Sequence, residues 1–229
     1  SGQAFTVRDE VIDDVVEAIA LARKHPRIDR DRVFVLGHSL GGLIALDLAV
    51  QRTPRAEGII AAAPPLGAVG VPPVLMALGR MMARVWPRFS LNVGMDLTGL
   101  SRDPAVVETI TSDPLFHRRG TARLSVEVPR AIARVHEHAR RIAVPLLLLH
   151  GTSDRMVPPD GTRSFFARFM NDGADPLGPA APGEYVAPER DVTLRLYADA
   201  YHALFFDVGR DEVRSDVVRW MRARSARPA

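Results

Sequence analysis

Apolar residues along the chain follow two spacings, one typical of helices and one typical of buried strands. Val11, Val15 and Ile19 repeat at helical spacing, which predicts a helix from about residue 6 to 25 opened by a capping box at 6–9. Short runs rich in β-branched residues and leucine predict strands between turns. The remaining predicted elements are strand 32–37, helix 40–52, strand 57–62, strand 144–150, helix 161–170, strand 192–197 and helix 212–224. This alternation predicts an α/β fold, with a mostly parallel sheet flanked by helices on both faces.

Two stretches interrupt the alternation. Residues 64–143 have helical patterning and no convincing strand, which predicts an inserted helical cap. Residues 172–191 are rich in Gly, Pro and Ala and predict a loop, which either bulges at the surface or lines the site. We therefore divide the chain into a first part of the core at 1–63, a helical cap or lid at 64–143 and a second part of the core at 144–229.

The pentapeptide Gly37-His38-Ser39-Leu40-Gly41 lies between a predicted strand and a predicted helix. In that position Gly-x-Ser-x-Gly is typical of a nucleophile elbow, a strained turn that presents a serine hydroxyl above the sheet. We expect both flanking glycines to be required, because a Cβ at either position would collide with the neighbouring strand or helix. The alternative is a Gly-rich strand-to-helix turn without catalytic meaning.

A nucleophilic serine needs a base within hydrogen-bond reach and an acid that orients the base. Asp154 follows an apolar strand and His202 follows the last predicted strand, so we expect both at the carboxyl edge of the sheet. The chain order Ser39, Asp154, His202 is the order that accompanies this kind of elbow. These three residues are therefore the predicted catalytic set.

Other titratable residues are weaker candidates. Asp160 and Asp199 are rivals for the acid, but Asp160 is better explained as a helix N-cap. We expect His38 to pack beneath the elbow turn and not to act as the base. His136 and His138 are two positions apart on a predicted helix and point in different directions, so they do not form a metal pair. The predicted chemistry needs no metal and no organic cofactor.

Composition narrows the class of protein further. The chain has 229 residues, enough for one domain with a sizeable core, and its net charge is +3. Its arginines are scattered, so we expect no nucleic-acid partner. The absence of cysteine excludes a disulfide framework and thiol chemistry. The longest apolar run, 143–149, is too short to span a membrane, and no signal-peptide pattern is visible, so we expect a cytoplasmic protein.

Three segments of the predicted core carry a resemblance to a known family: 36–42, 146–155 and 201–202. Together they resemble the monoacylglycerol lipase and lysophospholipase branch of the α/β-hydrolases. Residues 100–103 and 112–115 resemble the cap segment of that family. The resemblance extends from about residue 5 to the C-terminus and is most specific in the first two segments.

The resemblance implies an α/β-hydrolase fold in which Ser39 is the nucleophile, Asp154 the acid, His202 the base, and the backbone N–H of Leu40 one oxyanion donor. It implies a serine ester hydrolase acting on a small-molecule acyl ester of the acylglycerol or lysophospholipid type. A thioesterase, amidase or peptidase would use the same triad. A catalytically weak or silent fold that serves in interaction is a second alternative, and a perhydrolase or C–C hydrolase is a third.

The sequence departs from the family before the elbow. The family sheet begins with further strands and a His-Gly loop that supplies the second oxyanion donor, whereas only one predicted helix precedes the elbow strand here. We therefore expect the first strands of the family sheet to be absent from this sequence. A missing N-terminal segment or a second chain would complete the sheet.

Residues 71–95 carry many apolar side chains, including Met81 and Trp86. We interpret this segment as an apolar lid over Ser39 that binds the acyl chain and makes peripheral contact with a membrane or micelle surface. The alternative is that this face packs into the core, since apolar stripes at helical spacing usually do.

Overall fold

The structure is a computed structural model, and it describes residues 9–30, 32–67, 73–92, 96–116, 118–170 and 181–225. The predicted capping box therefore lies outside the described residues except for the backbone of Asp9. The helices and strands, in chain order, are α1 (Asp9–Lys24), β1 (Phe34–His38), α2 (Leu40–Gln51), β2 (Gly58–Ala62), α3 (Pro73–Val85), β3 (Ser90–Asn92), α4 (Pro104–Ser112), β4 (Arg119–Thr121), α5 (Leu124–Glu137), β5 (Leu146–Gly151), α6 (Asp160–Ala167), β6 (Gly183–Ala187), β7 (Val192–Tyr197) and α7 (Arg210–Ser225).

Five strands form the main sheet, in the order β1-β2-β5-β7-β6. The first four strands pair in parallel, and β6 is antiparallel to β7. The parallel strands β2 and β5 are buried along their whole length, as expected for strands covered on both faces. The predicted fold class, a mostly parallel sheet flanked by helices, is confirmed.

The two faces of the sheet bury two separate apolar clusters. Along β2, Ile59 and Ala61 lie in the larger cluster with α1, α2, α5 and α6, whereas Ile60 and Ala62 lie in the smaller cluster with α7. This division follows from the two-residue period of side chains along a strand. The wholly apolar sequence of these strands is thus the consequence of helices on both sides.

Helix α2 is the most buried helix, and its position decides where the elbow lies. Residues 42–50 of this helix are all buried. Its one buried carboxylate, Asp47, accepts two hydrogen bonds from the Arg134 guanidinium of α5, both at 2.7 Å. A buried charge with this bidentate partner holds α5 against α2, beneath the turn that carries Ser39.

Two predictions about strands are wrong. The stretch 64–143 contains an antiparallel pair, β3 with β4, which joins Ser90 to Thr121. Each of these strands is three residues long, too short for an alternating pattern to be visible in the sequence. The predicted loop at 172–191 contains β6, while 171–180 lie outside the described residues. The division of the chain at residues 64 and 143 stays a prediction.

None of the described helices is both long enough and apolar enough to cross a membrane.

Candidate active site

Ser39 occupies the turn between β1 and α2 with φ 51° and ψ −122°. A positive φ is unusual for a residue with a side chain, and such strain costs about 1–3 kcal/mol and is concentrated at functional sites. Hydrogen bonds hold the turn: the Ser39 N–H donates to the Ala62 carbonyl at 2.8 Å, and the Ser39 carbonyl accepts from Gly42 N–H at 2.9 Å. The Ser39 side chain makes no capping hydrogen bond to α2, so its hydroxyl does not serve the helix.

Close approaches occur at two glycines around Ser39, Gly37 and Gly42, and not at the predicted pair of Gly37 and Gly41. A Cβ on Gly37 would lie 2.2 Å from the Gly41 carbonyl oxygen, so this position accepts only glycine. A Cβ on Gly41 would meet nothing within 4 Å, and the expected collision there is wrong. The second close approach is at Gly42, where a Cβ would lie 3.2 Å from the Gly37 carbonyl oxygen. Position 41 faces open space beside Ser39.

The N-terminus of α2 points backbone N–H groups toward the elbow. The helix begins at Leu40, and the first-turn N–H groups of a helix have no carbonyl partner within it. The helix dipole adds a partial positive charge at this end. The Leu40 N–H is therefore suited to an oxygen that develops negative charge next to Ser39.

The structure brings Asp154 and His202 together. The distance from His202 Nδ1 to Asp154 Oδ2 is 2.8 Å, and both side chains are almost fully buried. The other carboxylate oxygen, Oδ1, accepts the N–H groups of Met156 and Val157, each at 2.9 Å. A carboxylate on Nδ1 fixes the tautomer in which this nitrogen carries the hydrogen, and it leaves Nε2 as the basic nitrogen.

The surroundings of Asp154 keep its carboxylate ionised. Burial alone would raise its pKa, but hydrogen bonds from His150, His202 and the Val157 N–H outweigh burial and hold the pKa of Asp154 well below its usual range. An ionised carboxylate at this place stabilises the imidazolium form of His202.

His38 contacts the loop of His202. Its Nε2–H donates to the His202 carbonyl oxygen at 2.9 Å, and the two ring centroids are 4.8 Å apart. Burial lowers the pKa of His38. His38 directly precedes Ser39 in the chain. Besides packing beneath the elbow, it therefore links the elbow to the loop that carries His202.

The two rival acids have described contacts elsewhere, Asp160 through its carboxylate and Asp199 through its backbone. Asp160, the first residue of α6, contacts the Arg163 guanidinium at 3.1 Å. Asp199 adopts φ 56°, and its N–H donates to the Thr152 hydroxyl. Among the described contacts, the carboxylate that meets the His202 ring is that of Asp154.

His136 is hydrogen-bonded to other segments of the chain. His136 Nε2–H donates to the Leu66 carbonyl oxygen at 2.8 Å, and its Nδ1 accepts from Arg168. Within the part of the chain that the structure describes, there is no cluster of three or more residues suited to a metal ion.

The loop of His202 is held by a segment that the sequence assigns to the cap. The backbone N–H groups of His202 and Ala203 donate to the carbonyl oxygens of Gly99 and Leu100, at 3.2 and 2.7 Å. These two hydrogen bonds join chain segments that are distant in the sequence. The position of His202 therefore depends on residues 99 and 100.

Asp207 reinforces the same connection, and sequence reasoning missed it. Its buried carboxylate accepts the Ser101 hydroxyl at 3.2 Å, the Arg102 N–H at 2.7 Å, the Arg102 Nε–H at 2.9 Å and the Tyr201 N–H at 2.9 Å. Asp207 and Arg102 are 105 positions apart. The sequence shows only that Asp207 is an acidic residue in an apolar run, five positions after His202. Nothing in that run indicates that its partner is Arg102.

Of the two lid residues, Met81 lies on an exposed face of α3, and Trp86 follows directly after the helix. Met81 is 57% exposed and Trp86 is 59% exposed. The opposite side of α3 packs on α5, since a Cβ on Gly79 would lie 2.3 Å from the Ser125 hydroxyl oxygen. Val74, Leu78 and Val85 share the exposed face with Met81. This stripe does not pack into the core, so the alternative interpretation is wrong for these side chains.

Comparison with known proteins agrees with this geometry. The family model for serine aminopeptidase, S33, matches residues 4–175. The monoacylglycerol lipase of Mycolicibacterium smegmatis is 28% identical over 228 residues, which cover 96% of this chain and 72% of that protein. Phospholipase YtpA of Bacillus subtilis is 33% identical over 224 residues, covering 93% of this chain and 78% of that protein.

Solved structures point the same way. The crystal structure of the Paleococcus ferrophilus monoacylglycerol lipase superimposes with a TM-score of 0.79 at 30% identity, over 96% of this chain and 76% of that chain. A monoglyceride lipase from Saccharomyces cerevisiae superimposes with a TM-score of 0.73 at 21% identity, which supports the fold alone. The chain therefore belongs to the serine aminopeptidase S33 family of α/β-hydrolases, and within it is similar to the monoacylglycerol lipases.

Proposed function

We propose that this protein is a carboxylic ester hydrolase that acts through an acyl-enzyme on Ser39. His202 is the general base and Asp154 is the acid that orients it. The observation that carries the proposal is the 2.8 Å contact between His202 Nδ1 and Asp154 Oδ2. The His202 ring also lies 4.8 Å from that of His38, which directly precedes Ser39 at φ 51°. Similarity to monoacylglycerol lipases supports ester chemistry.

In the proposed mechanism, His202 Nε2 takes the hydroxyl proton of Ser39 as Oγ attacks the acyl carbon. The Leu40 N–H stabilises the negative charge that develops on the carbonyl oxygen. The imidazolium, stabilised by ionised Asp154, then protonates the leaving alkoxide, and the ester bond breaks. Water, activated by His202 in the same way, hydrolyses the acyl-enzyme and releases the acid.

The substrate class we propose is a small-molecule ester of the acylglycerol or lysophospholipid type. The relatives include monoacylglycerol lipases and a phospholipase, which supports both leaving groups. The exposed stripe on α3 that contains Met81, together with exposed Trp86 just after the helix, supports contact with an acyl chain or with a membrane or micelle surface. Exposed apolar stripes of this kind are typical of binding surfaces.

A substrate panel tests the proposal. Purified protein is assayed with a monoacylglycerol, a lysophospholipid, a thioester and an amino-acid anilide, the last because the matching family model is named for an aminopeptidase. We expect the two oxygen esters to be turned over fastest. Ser39→Ala and His202→Ala should each abolish this turnover while retaining the wild-type circular dichroism spectrum.

Two results would contradict the proposal. Undiminished ester turnover by Ser39→Ala would exclude the acyl-enzyme on this residue. A strong preference for the anilide would indicate that the same residues hydrolyse peptide bonds, and it would contradict the proposed ester hydrolysis.

A further inference from the structure

We propose that His150 is a positioning residue for the catalytic acid, acting on both oxygens of the Asp154 carboxylate. This inference rests on the proposed function, because it assigns a role to a residue that acts through Asp154 and His202. In the sequence, His150 is the last residue of the predicted strand 144–150. Its imidazole is fully buried and, in the mechanism above, contacts no substrate.

Two hydrogen bonds fix the His150 ring. Nε2 lies 2.8 Å from the Val157 carbonyl oxygen, which only accepts, so Nε2 carries a hydrogen. Nδ1 lies 2.8 Å from the Thr162 hydroxyl on α6, which donates to it. The ring is thus held between the loop after β5 and the first turn of α6, in one tautomer and one orientation.

This ring braces both oxygens of Asp154. The Val157 residue whose carbonyl accepts from His150 also donates its N–H to Asp154 Oδ1 at 2.9 Å. His150 Nε2 itself lies 3.3 Å from Oδ2, the oxygen that His202 contacts at 2.8 Å. Rotation of the carboxylate away from His202 would therefore break contacts at both oxygens.

The charges around His150 come from the site itself. The titratable groups that face it are Asp154 directly, His202 across the carboxylate, and His38 at longer range. From α6 the facing group is the uncharged Thr162. A change at His150 is therefore transmitted to the base through Asp154.

The test compares four variants with the wild type. His150→Phe keeps a planar ring but removes both nitrogens, and His150→Gln keeps an N–H donor and an acceptor. Thr162→Val removes the hydroxyl that fixes Nδ1 and leaves His150 in place. His136→Phe is the matched control, because it also removes an imidazole whose N–H donates to a backbone carbonyl, at Leu66, outside the site.

We expect His150→Phe to lower kcat about 10- to 100-fold with little change in KM, since small misplacements of a catalytic group have effects of this size. The acid limb of the kcat/KM profile should move to lower pH, because protonated His202 loses part of its carboxylate partner. His150→Gln should keep most of the wild-type kcat and most of the wild-type position of the acid limb. Thr162→Val should lower kcat and shift the acid limb in the same direction as His150→Phe, but by less. His136→Phe should lower Tm without moving the acid limb.

A purely structural role for His150 predicts a lower Tm with an unmoved acid limb, and that outcome would overturn the inference. So would a His150→Phe variant within twofold of the wild type in kcat. If His150→Phe fails to fold, Thr162→Val carries the same comparison, and His150→Gln remains the variant that should keep the wild-type kcat and acid limb.

A readout without substrate separates this inference from the proposed function. The His202 Nδ1 proton, hydrogen-bonded to Asp154, should give a far-downfield proton resonance in NMR spectra of the wild type. That resonance should shift or broaden in Thr162→Val and persist in His136→Phe. If the wild type hydrolyses no ester but the resonance responds in this way, the proposed function fails and the positioning role stands. A resonance insensitive to Thr162→Val would overturn the positioning role.

Discussion

Removal of the Asp207 carboxylate should test whether residues 99–102 position the catalytic histidine. In Asp207→Ala, the N–H groups of Tyr201 and Arg102 and the Arg102 guanidinium all lose their acceptor. The Asp207 side chain is 1% exposed and that of Arg102 is 29% exposed, so water replaces the acceptor poorly. Removing one partner of such a buried pair costs about 3–5 kcal/mol. At about 2–4 °C per kcal/mol for a chain of this size, Tm should fall by about 6–20 °C.

Asp207→Asn adds a pH signature to this prediction. Burial opposes ionisation of Asp207, but N–H donors from Tyr201, Arg102 and Val208 and the Arg102 charge outweigh it and hold its pKa below the usual 3.8. A carboxyl with a lowered pKa in the folded state stabilises the fold fully above its unfolded pKa and loses that contribution as pH falls through the folded value. The stability difference between wild type and Asp207→Asn should therefore be complete at neutral pH and shrink below pH 3.8.

Thermal and urea unfolding, followed by circular dichroism, measure the stability, and kcat/KM with a monoacylglycerol measures the effect on His202. Asp211→Asn is the matched control, because Asp211 is 89% exposed and its contact with Arg214 is 3.5 Å long. Exposed pairs of this kind contribute little, so its Tm and turnover should equal the wild type. The reasoning is refuted if Asp207→Ala unfolds within about 2 °C of the wild type, or if its turnover is unchanged.

Three further predictions concern the elbow, the acid and the lid. Gly37→Ala should fail to fold or have a Tm far below that of the wild type, because its Cβ would lie 2.2 Å from a carbonyl oxygen. Gly41→Ala should have the Tm of the wild type, and equal Tm values for the two variants would contradict this prediction. Asp154→Asn should lower kcat about 10⁴-fold in steady-state assays, since an amide favours the wrong histidine tautomer, and a loss under tenfold would contradict the assigned acid. Activity should climb from acetyl to medium-chain esters, by up to about 0.8 kcal/mol or fourfold per methylene. Met81→Asp should flatten this increase with acyl-chain length at unchanged Tm. Leu115→Asp is the control and should not flatten it, because Leu115 is 87% exposed and lies outside α3. A wild-type activity that does not depend on chain length would exclude the lid.

Features with a strong local signal could be predicted from the sequence. The buried strands β2 and β5 are continuous apolar runs, and the elbow is a short pattern between a strand and a helix. The contact between the proposed acid and base followed from the same logic, because parallel strands carry the residues after them to one edge of the sheet. Asp154 and His202 are 48 positions apart, yet the position of each at this edge could be predicted from the strand that precedes it.

Features that depend on distant partners could not be predicted. The Asp207–Arg102 pair joins residues 105 positions apart, and no spacing rule connects two isolated charges across that distance. The open space at Gly41 depends on how α2 leaves the turn, which the pentapeptide does not contain. The three-residue strands β3 and β4 exist because they pair with each other, not because of their own pattern.

Site-specific labelling with a fluorophosphonate tests the central claim most directly. Tryptic cleavage after Arg32 and Arg52 releases the peptide 33–52, in which Ser39 carries the only side-chain hydroxyl. We expect one phosphonyl group per protein molecule, found on this peptide by mass spectrometry and lost in both Ser39→Ala and His202→Ala. Stoichiometric labelling of another peptide, or labelling that persists in Ser39→Ala, would contradict the assignment of Ser39 as the nucleophile.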